Sequence, residues 1–318
     1  MLEERKMMEL ADEFITKKMM EDPLLIKKMS DAFGSDIIKM EFVYVKKNNS
    51  TTKRAIQFTF SEPEKNSGNN VSPLFYVDEI YESYFKHEVT VEEMAKKIKA
   101  MILAYKMPGR IDVSLLENYE NVKKHFVISL INAGRNAEML ENTPAIRWKD
   151  LAIVAKITVD IDQERGTINV TNDMVKRWGV SKETLFADAI KYSEKNNPAK
   201  VISMSKMLGL LSSNEELGFS EEPAMYVVTN ENGVGGASVM LYEGVLENLS
   251  NTLGGVNLYI LPSSVHEVIA VDTKEPSARE LQQMVKSVNA ECVTEEDFLS
   301  DNVYFYNAEK KTLEFASC

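Results

Sequence analysis

The chain has 318 residues, a formal net charge of −12, 44% hydrophobic and 27% charged residues, which is the composition of a globular protein with room for two domains and excludes a disordered or fibrous one. Its first residues are charged throughout and no eighteen-residue apolar window occurs, which argues against a secretory signal and a membrane span and predicts a cytoplasmic protein. Two cysteines, Cys292 and Cys318, are too few for a disulfide framework or a cysteine metal cluster.

In chain order, residues 2–32 read as methionine-rich helix, with Leu2, Met7, Leu10, Phe14 and Ile15 on one side. DIIKMEFVYV and AIQFTF alternate as two strands of a hairpin, with Ile38, Met40, Phe42 and Tyr44 sharing a face of the first and Ile56, Phe58 and Phe60 a face of the second. Residues 62–71 are a polar loop. VDEIYESYFKHE reads as a helix, and the cluster of Tyr76, Tyr81, Tyr84 and Phe85 on it and its approach is an aromatic core stripe. Thr90-x-x-Glu93 is a capping box that opens the next helix, and Pro108-Gly109 marks a boundary. Residues 1–110 are therefore expected to form a helical and β-hairpin domain, and residues 111–318 a sheet-based domain.

The second part continues with the strand HFVISLIN, a turn at Gly134-Arg135-Asn136 and a short helix ended by Pro144. LAIVAKITVDI and TINVTN form a second hairpin, followed by helices at 172–178 and 181–195. NEELGFSEEP reads as a surface linker. AMYVVT and ASVML are expected strands, YEGVLENLSNTLGG a helix with a glycine stop, NLYIL and VHEVIAV strands, SARELQQMVKSVN a helix, and VYFYN with TLEF a closing hairpin. Strand pairs alternating with single helices predict an α+β fold with a mostly antiparallel sheet.

The acidic charge is concentrated in the last third. Residues 199–318 carry 7 Lys and Arg against 18 Asp and Glu, and the rest of the chain 30 against 31. Such a segment repels phosphate backbones, so direct nucleic-acid binding through it is not expected. A solubilising surface accounts for the excess; the sharper alternative is an acidic face that docks on a basic protein partner.

Pro262 to Glu267, PSSVHE, places Ser263, Ser264, His266 and Glu267 on a corner between two apolar runs. A hydroxyl, an imidazole and a carboxylate are the ingredients of nucleophilic hydrolysis. On a strand, however, Ser264 and His266 face one way and Glu267 the other, so the orienting carboxylate must come from elsewhere. The simpler reading is a corner capped by Ser263 or Ser264, and a non-catalytic binding site including Glu267 is a further option. ENGVGGASV lacks the G-x-x-x-x-G-K-[ST] of a phosphate loop and reads as a hairpin turn, so no cofactor is expected. Asn132, Arg135 and Asn172 stand at strand ends, where they either bind a ligand or cap turns; Asn172 reads as the N-cap of the helix that follows. His87, His125 and His266 have no metal-ligand spacing, and no metal site is expected.

LINAGRN, the DLAIVAKITVDI hairpin leading to VTNDMVKRWGVS, and AMYVVTNENGVGGASVMLYEGVLENLSNTLGGVNLYILPSSVHEVIAV resemble an uncharacterised bacterial family, a domain of unknown function of Gram-positive anaerobes often carried by mobile elements. The resemblance spans about residues 35–307 and brings no catalytic residue or cofactor. It implies an intracellular accessory factor of an integrative element or phage. The leading expectation is a non-enzymatic binding or regulatory protein that meets a protein partner through its acidic C-terminal half. The alternatives are a hydrolase with His266 as base and Ser264 or Ser263 as nucleophile, and a small-ligand sensor whose cavity is bordered by Arg135 or Asn172.

Overall fold

The computed structural model describes residues 2–33, 35–61, 73–105, 113–161, 164–211, 225–273 and 276–317. The loop expected at 62–71, the Pro108-Gly109 boundary and the NEELGFSEEP linker lie outside the described residues. The fold is α+β, and the chain forms two compact units. The first comprises residues 1–47, 51–113 and 160–165; the second comprises residues 48–50, 114–159 and 166–318.

In the first unit, α1 (Leu2–Met20) and α2 (Pro23–Phe33) are separated where Asp22 accepts the Leu24 and Leu25 amides and Pro23 opens the second helix. Ala11, Ile15 and Met19 form the buried stripe of α1, while Leu10, expected inside, is exposed. Strands β1 (Ile37–Lys46), β2 (Thr52–Phe60) and β3 (Leu74–Tyr76) form an antiparallel sheet in that order. A register shift between Ile37 and Lys39 changes which side chains of β1 face inward. Ile37, Met40 and Phe42 therefore pack with Ile56 and Phe58, whereas Ile38 is exposed; Tyr44, on the same face as Phe42 but beyond the core, is exposed as well. Helices α3 (Asp78–Phe85) and α4 (Val91–Ala104) complete the unit. The Thr90–Glu93 capping box is present, and Met94, Ile98 and Ile102 bury one face of α4.

An ion pair lies within this core. Arg54 pairs with Asp12, Tyr81 donates its hydroxyl to Asp12, and the guanidinium lies 5.0 Å from the ring centroids of Phe42, Tyr44 and Tyr81. Burial pushes the Asp12 carboxyl up despite the opposing bonds from Tyr81 and Arg54. Desolvation thus outweighs the attraction, as it does for many ion pairs taken out of water.

The second unit has two sheets on one core. Strand β4 (Phe126–Asn132) is followed by α5 (Ala137–Glu141), β5 (Ala145–Trp148), β6 (Leu151–Ile161) and β7 (Glu164–Asn169); the order is β4-β6-β5, and β7 also pairs with β6. Helices α6 (Asn172–Trp178) and α7 (Lys182–Asn196) follow. The six-stranded sheet takes β8 (Ala199–Ser203), then, after α8 (Met204–Leu211), β9 (Met225–Asn230). A 3-10 helix over Gly236–Leu241, α9 (Val245–Thr252), β10 (Leu258–Leu261), β11 (Val268–Asp272), α10 (Ala278–Cys292), β12 (Tyr304–Asn307) and β13 (Thr312–Phe315) complete it. The strand order is β13-β12-β10-β11-β9-β8, antiparallel throughout.

Period-two alternation explains why β10 and β11 read as unbroken apolar runs: both of their faces are covered. Leu258, Ile260, Val268 and Ala270 join the main core with Phe126, Ile128, Ile153 and Leu185. Leu261 and Val271 face the other way, onto Leu281 and Val285 of α10. The expected ASVML strand is instead the 3-10 helix at the centre of this core, where Ala237, Val239 and Met240 are buried.

Candidate functional site

The corner after β10 is held from two sides. On one side Pro262–Val265 runs beside Asp297–Ser300: the Val265 amide donates to the Asp297 carbonyl at 2.8 Å, Leu299 to Ser263 at 2.9 Å and Ser300 to Pro262 at 2.9 Å. On the other side is the glycine loop after β9. The Ala237 amide donates to the Val265 carbonyl at 3.1 Å, and the Thr229 hydroxyl to the His266 carbonyl at 2.8 Å. The two segments singled out separately in the sequence, ENGVGG and PSSVHE, thus form one structure. β11 begins only at Val268, so His266 lies in the bend and not on the strand expected from VHEVIAV.

The bonds around the ring define its tautomer. The Gly235 amide approaches Nδ1 at 3.2 Å, and Asp297 Oδ1 lies 3.0 Å from Nε2. An amide N–H can only donate, so Nδ1 presents its lone pair and Nε2 carries the proton that it donates to Asp297. Asp297 is fixed in turn by the Thr294 hydroxyl at 2.7 Å and by its own amide donating to Thr294 Oγ1 at 3.2 Å. In this tautomer no lone pair remains for abstracting a proton from a substrate. The Ser264 hydroxyl accepts the His266 amide at 3.0 Å and is buried with its residue. Among the described residues no hydroxyl is hydrogen-bonded to the imidazole, and Ser263 contributes its carbonyl to the corner. Glu267 is half-buried beside this pair; burial raises its carboxyl above the usual range, His266 opposes the rise and Asp297 adds to it.

Asn132 and Arg135 hold the same loop from another direction. Asn132 Nδ2 donates to the Leu299 carbonyl at 2.9 Å, and Asn132 Oδ1 accepts the Arg135 amide at 2.9 Å. Arg135 pairs with Glu295 at 2.7 Å and lies 3.6 Å over the centroid of the Phe298 ring. Asn136 exchanges bonds with Asn49 of the Asn48–Ser50 turn, and Asn49 Nδ2 also reaches the Glu295 and Phe298 carbonyls. Residues 294–300 are therefore the hub to which Asn132, Arg135 and His266 converge. Asp297 is the carboxylate on the imidazole that the PSSVHE segment, with its Glu267, does not supply; its only local signal is the turn Thr294-x-x-Asp297.

Asn172 stands apart from this cluster. The N-cap of α6 is Thr171, whose hydroxyl accepts the Met174 amide, and Asn172 is the first helical residue. Its amide and side chain instead donate to the Asn142 and Glu141 carbonyls, at 2.9 and 3.0 Å, which ties α6 to the end of α5. Beside it is an open cavity of about 530 Å³ that Thr143, Arg147 and Lys182 also line.

Among the described residues, no group of three or more His, Cys, Asp or Glu side chains is placed to hold a metal ion, and no helix is long and apolar enough to cross a membrane. No curated protein and no solved structure matches the chain. The model of a family of unknown function, DUF5688, does match, over residues 23–308, and the chain therefore belongs to that family.

Proposed function

We propose that this chain is a non-enzymatic binding or regulatory protein that acts in the cytoplasm on a basic protein partner, through its acidic C-terminal half. The observation that carries this reading is the state of His266: its lone pair is committed to the Gly235 amide and its proton to Asp297, so the serine–histidine pair serves the fold. The charge adds to it. Glu231, Glu243, Glu291 and Glu309 are exposed in this half, whose acidic excess favours a cationic partner and steers its approach. Glu215, Glu216, Glu221 and Glu222 contribute to the same excess and lie outside the described residues.

The test pairs affinity capture with a serine-directed probe. The full chain is expected to capture a partner from host lysate in a salt-sensitive manner. A variant with Glu231, Glu243, Glu291 and Glu309 changed to Lys is expected to lose that partner. Labelling of Ser263 or Ser264 by a fluorophosphonate, abolished by His266→Ala, would overturn the reading in favour of a hydrolase.

A further inference from the structure

The cavity beside Asn172 lies wholly within the second unit, and its walls follow from local rules. In β5, Ile146 and Trp148 pack against the main core, so Ala145 and Arg147 take the opposite face and line the cavity. Asn172, by tying the end of α5 to the start of α6, fixes the adjoining wall. Lys182 enters from the first residue of α7, after its N-cap Ser181, while Leu140 and Val175 supply apolar surface.

Three features point to an anion. Arg147 and Lys182 are both exposed, and among the described residues neither has a carboxylate within salt-bridge distance. No acidic side chain lines the cavity, although the chain carries a net charge of −12. Glu183, next in sequence to Lys182, feels its charge without lining the cavity. Thr143 also lines it with only 7% of its surface exposed, and its hydroxyl has no hydrogen-bond partner among the described residues. That hydroxyl is not one of the fully enclosed polar atoms that lack a partner, so it meets solvent in the cavity and is free to donate to an occupant.

We propose that this cavity binds a small organic phosphate monoester. Two cations and a hydroxyl donor suit a dianion with three terminal oxygens better than the single charge of a carboxylate. Leu140 and Val175 then receive an apolar body, and a volume of about 530 Å³ accommodates a small ligand of this kind. The site is separate from the acidic surface proposed to meet a protein partner, and neither reading depends on the other.

Titration calorimetry of the full chain with hexyl phosphate, inorganic phosphate and hexanoate tests it. Hexyl phosphate is expected to bind most tightly, and inorganic phosphate about tenfold or more weakly, for want of the apolar contact. Arg147→Gln and Lys182→Gln are each expected to weaken hexyl phosphate about tenfold, and Thr143→Val about three- to fivefold. The two cations are on the surface, so both Gln variants should retain the wild-type far-UV spectrum. Unchanged affinity in the Arg147→Gln/Lys182→Gln double variant, or hexanoate binding as tightly as hexyl phosphate, would overturn the assignment. Capture of a protein partner would be unaffected by either result.

Discussion

Replacing Gly236 by Ala tests whether the glycine loop and the histidine corner form one rigid structure. A Cβ at this position would lie 2.6 Å from the His266 carbonyl oxygen and 2.7 Å from the Asn230 amide nitrogen, and it would also collide with Thr229 Oγ1. Ordinary contact begins at 3.4 Å, so the two backbone atoms must give way by about 0.7 Å or more. A rotamer change can relieve only the Thr229 contact, at the expense of its bond to the His266 carbonyl. Overpacking of this kind costs about 1–3 kcal/mol and the lost bond about 1 kcal/mol more, so Gly236→Ala should destabilise the second unit by about 2–4 kcal/mol. The control is Gly134→Ala, where the nearest atom is Asn132 Oδ1 at 3.5 Å and the backbone is not left-handed. It should be neutral, or stabilising by up to about 1 kcal/mol, by restricting the unfolded chain. Both tryptophans, Trp148 and Trp178, belong to the second unit, so urea unfolding followed by tryptophan fluorescence reports on that unit alone. Equal midpoints for the wild type, Gly236→Ala and Gly134→Ala would refute the close approach, and with it the rigid placement of the Gly235 amide against His266.

Asp12→Ala strands the Arg54 guanidinium, whose side chain is only 8% exposed, and should cost the first unit about 3–5 kcal/mol; replacing both partners together, by Leu and Met, should be close to neutral. Because burial raises the Asp12 carboxyl, the folded form holds this proton to higher pH than the unfolded chain; the stability Asp12 confers is complete below the ordinary carboxylate range and is lost as pH rises through the raised value. The difference between wild type and the double variant, measured by urea unfolding at pH 4 and pH 7 with far-UV detection, should therefore shift in the variant's favour at pH 7. Glu267→Gln removes a carboxyl raised by burial and by Asp297, and by the same sign it should raise the fluorescence midpoint more at pH 7 than at pH 4. Asp150 accepts from the Ser300 hydroxyl at 2.6 Å, from Asn302 Nδ2 at 2.9 Å and from the Tyr304 hydroxyl. Asp150→Ala should cost about 2–4 kcal/mol by leaving these donors unpaired, and should shift the emission of Trp148, which stacks on Tyr304. Ser277→Ala removes the capping box of α10 and should cost about 1 kcal/mol on the same assay.

Elements whose pattern repeats over many residues were legible in the sequence, and short or fully enclosed ones were not. β6 and the stripe of α4 carry enough alternating or helical positions for their period to show, and the capping box at Thr90 is a local signal. β3 and β5, at three and four residues, are too short to show a period at all. Ala237, Val239 and Met240 are all buried, and enclosure erases the contrast between faces that separates strand from helix. At Thr171-Asn172 two residues of equal capping chemistry are adjacent, and only the geometry selects the first. The site repeats this lesson in chemical form. Ser264, His266 and a carboxylate are all present, and the carboxylate does reach the imidazole from 31 residues away. What the residue types do not encode is the direction of each hydrogen bond. An amide donor on Nδ1 and a carboxylate acceptor on Nε2 turn the ring into a brace between two loops. A hydroxyl in place of the Gly235 amide would have made the same three residues a candidate catalytic triad. The chemistry of this corner is therefore decided by one backbone N–H, and its position depends on a glycine that leaves room for it.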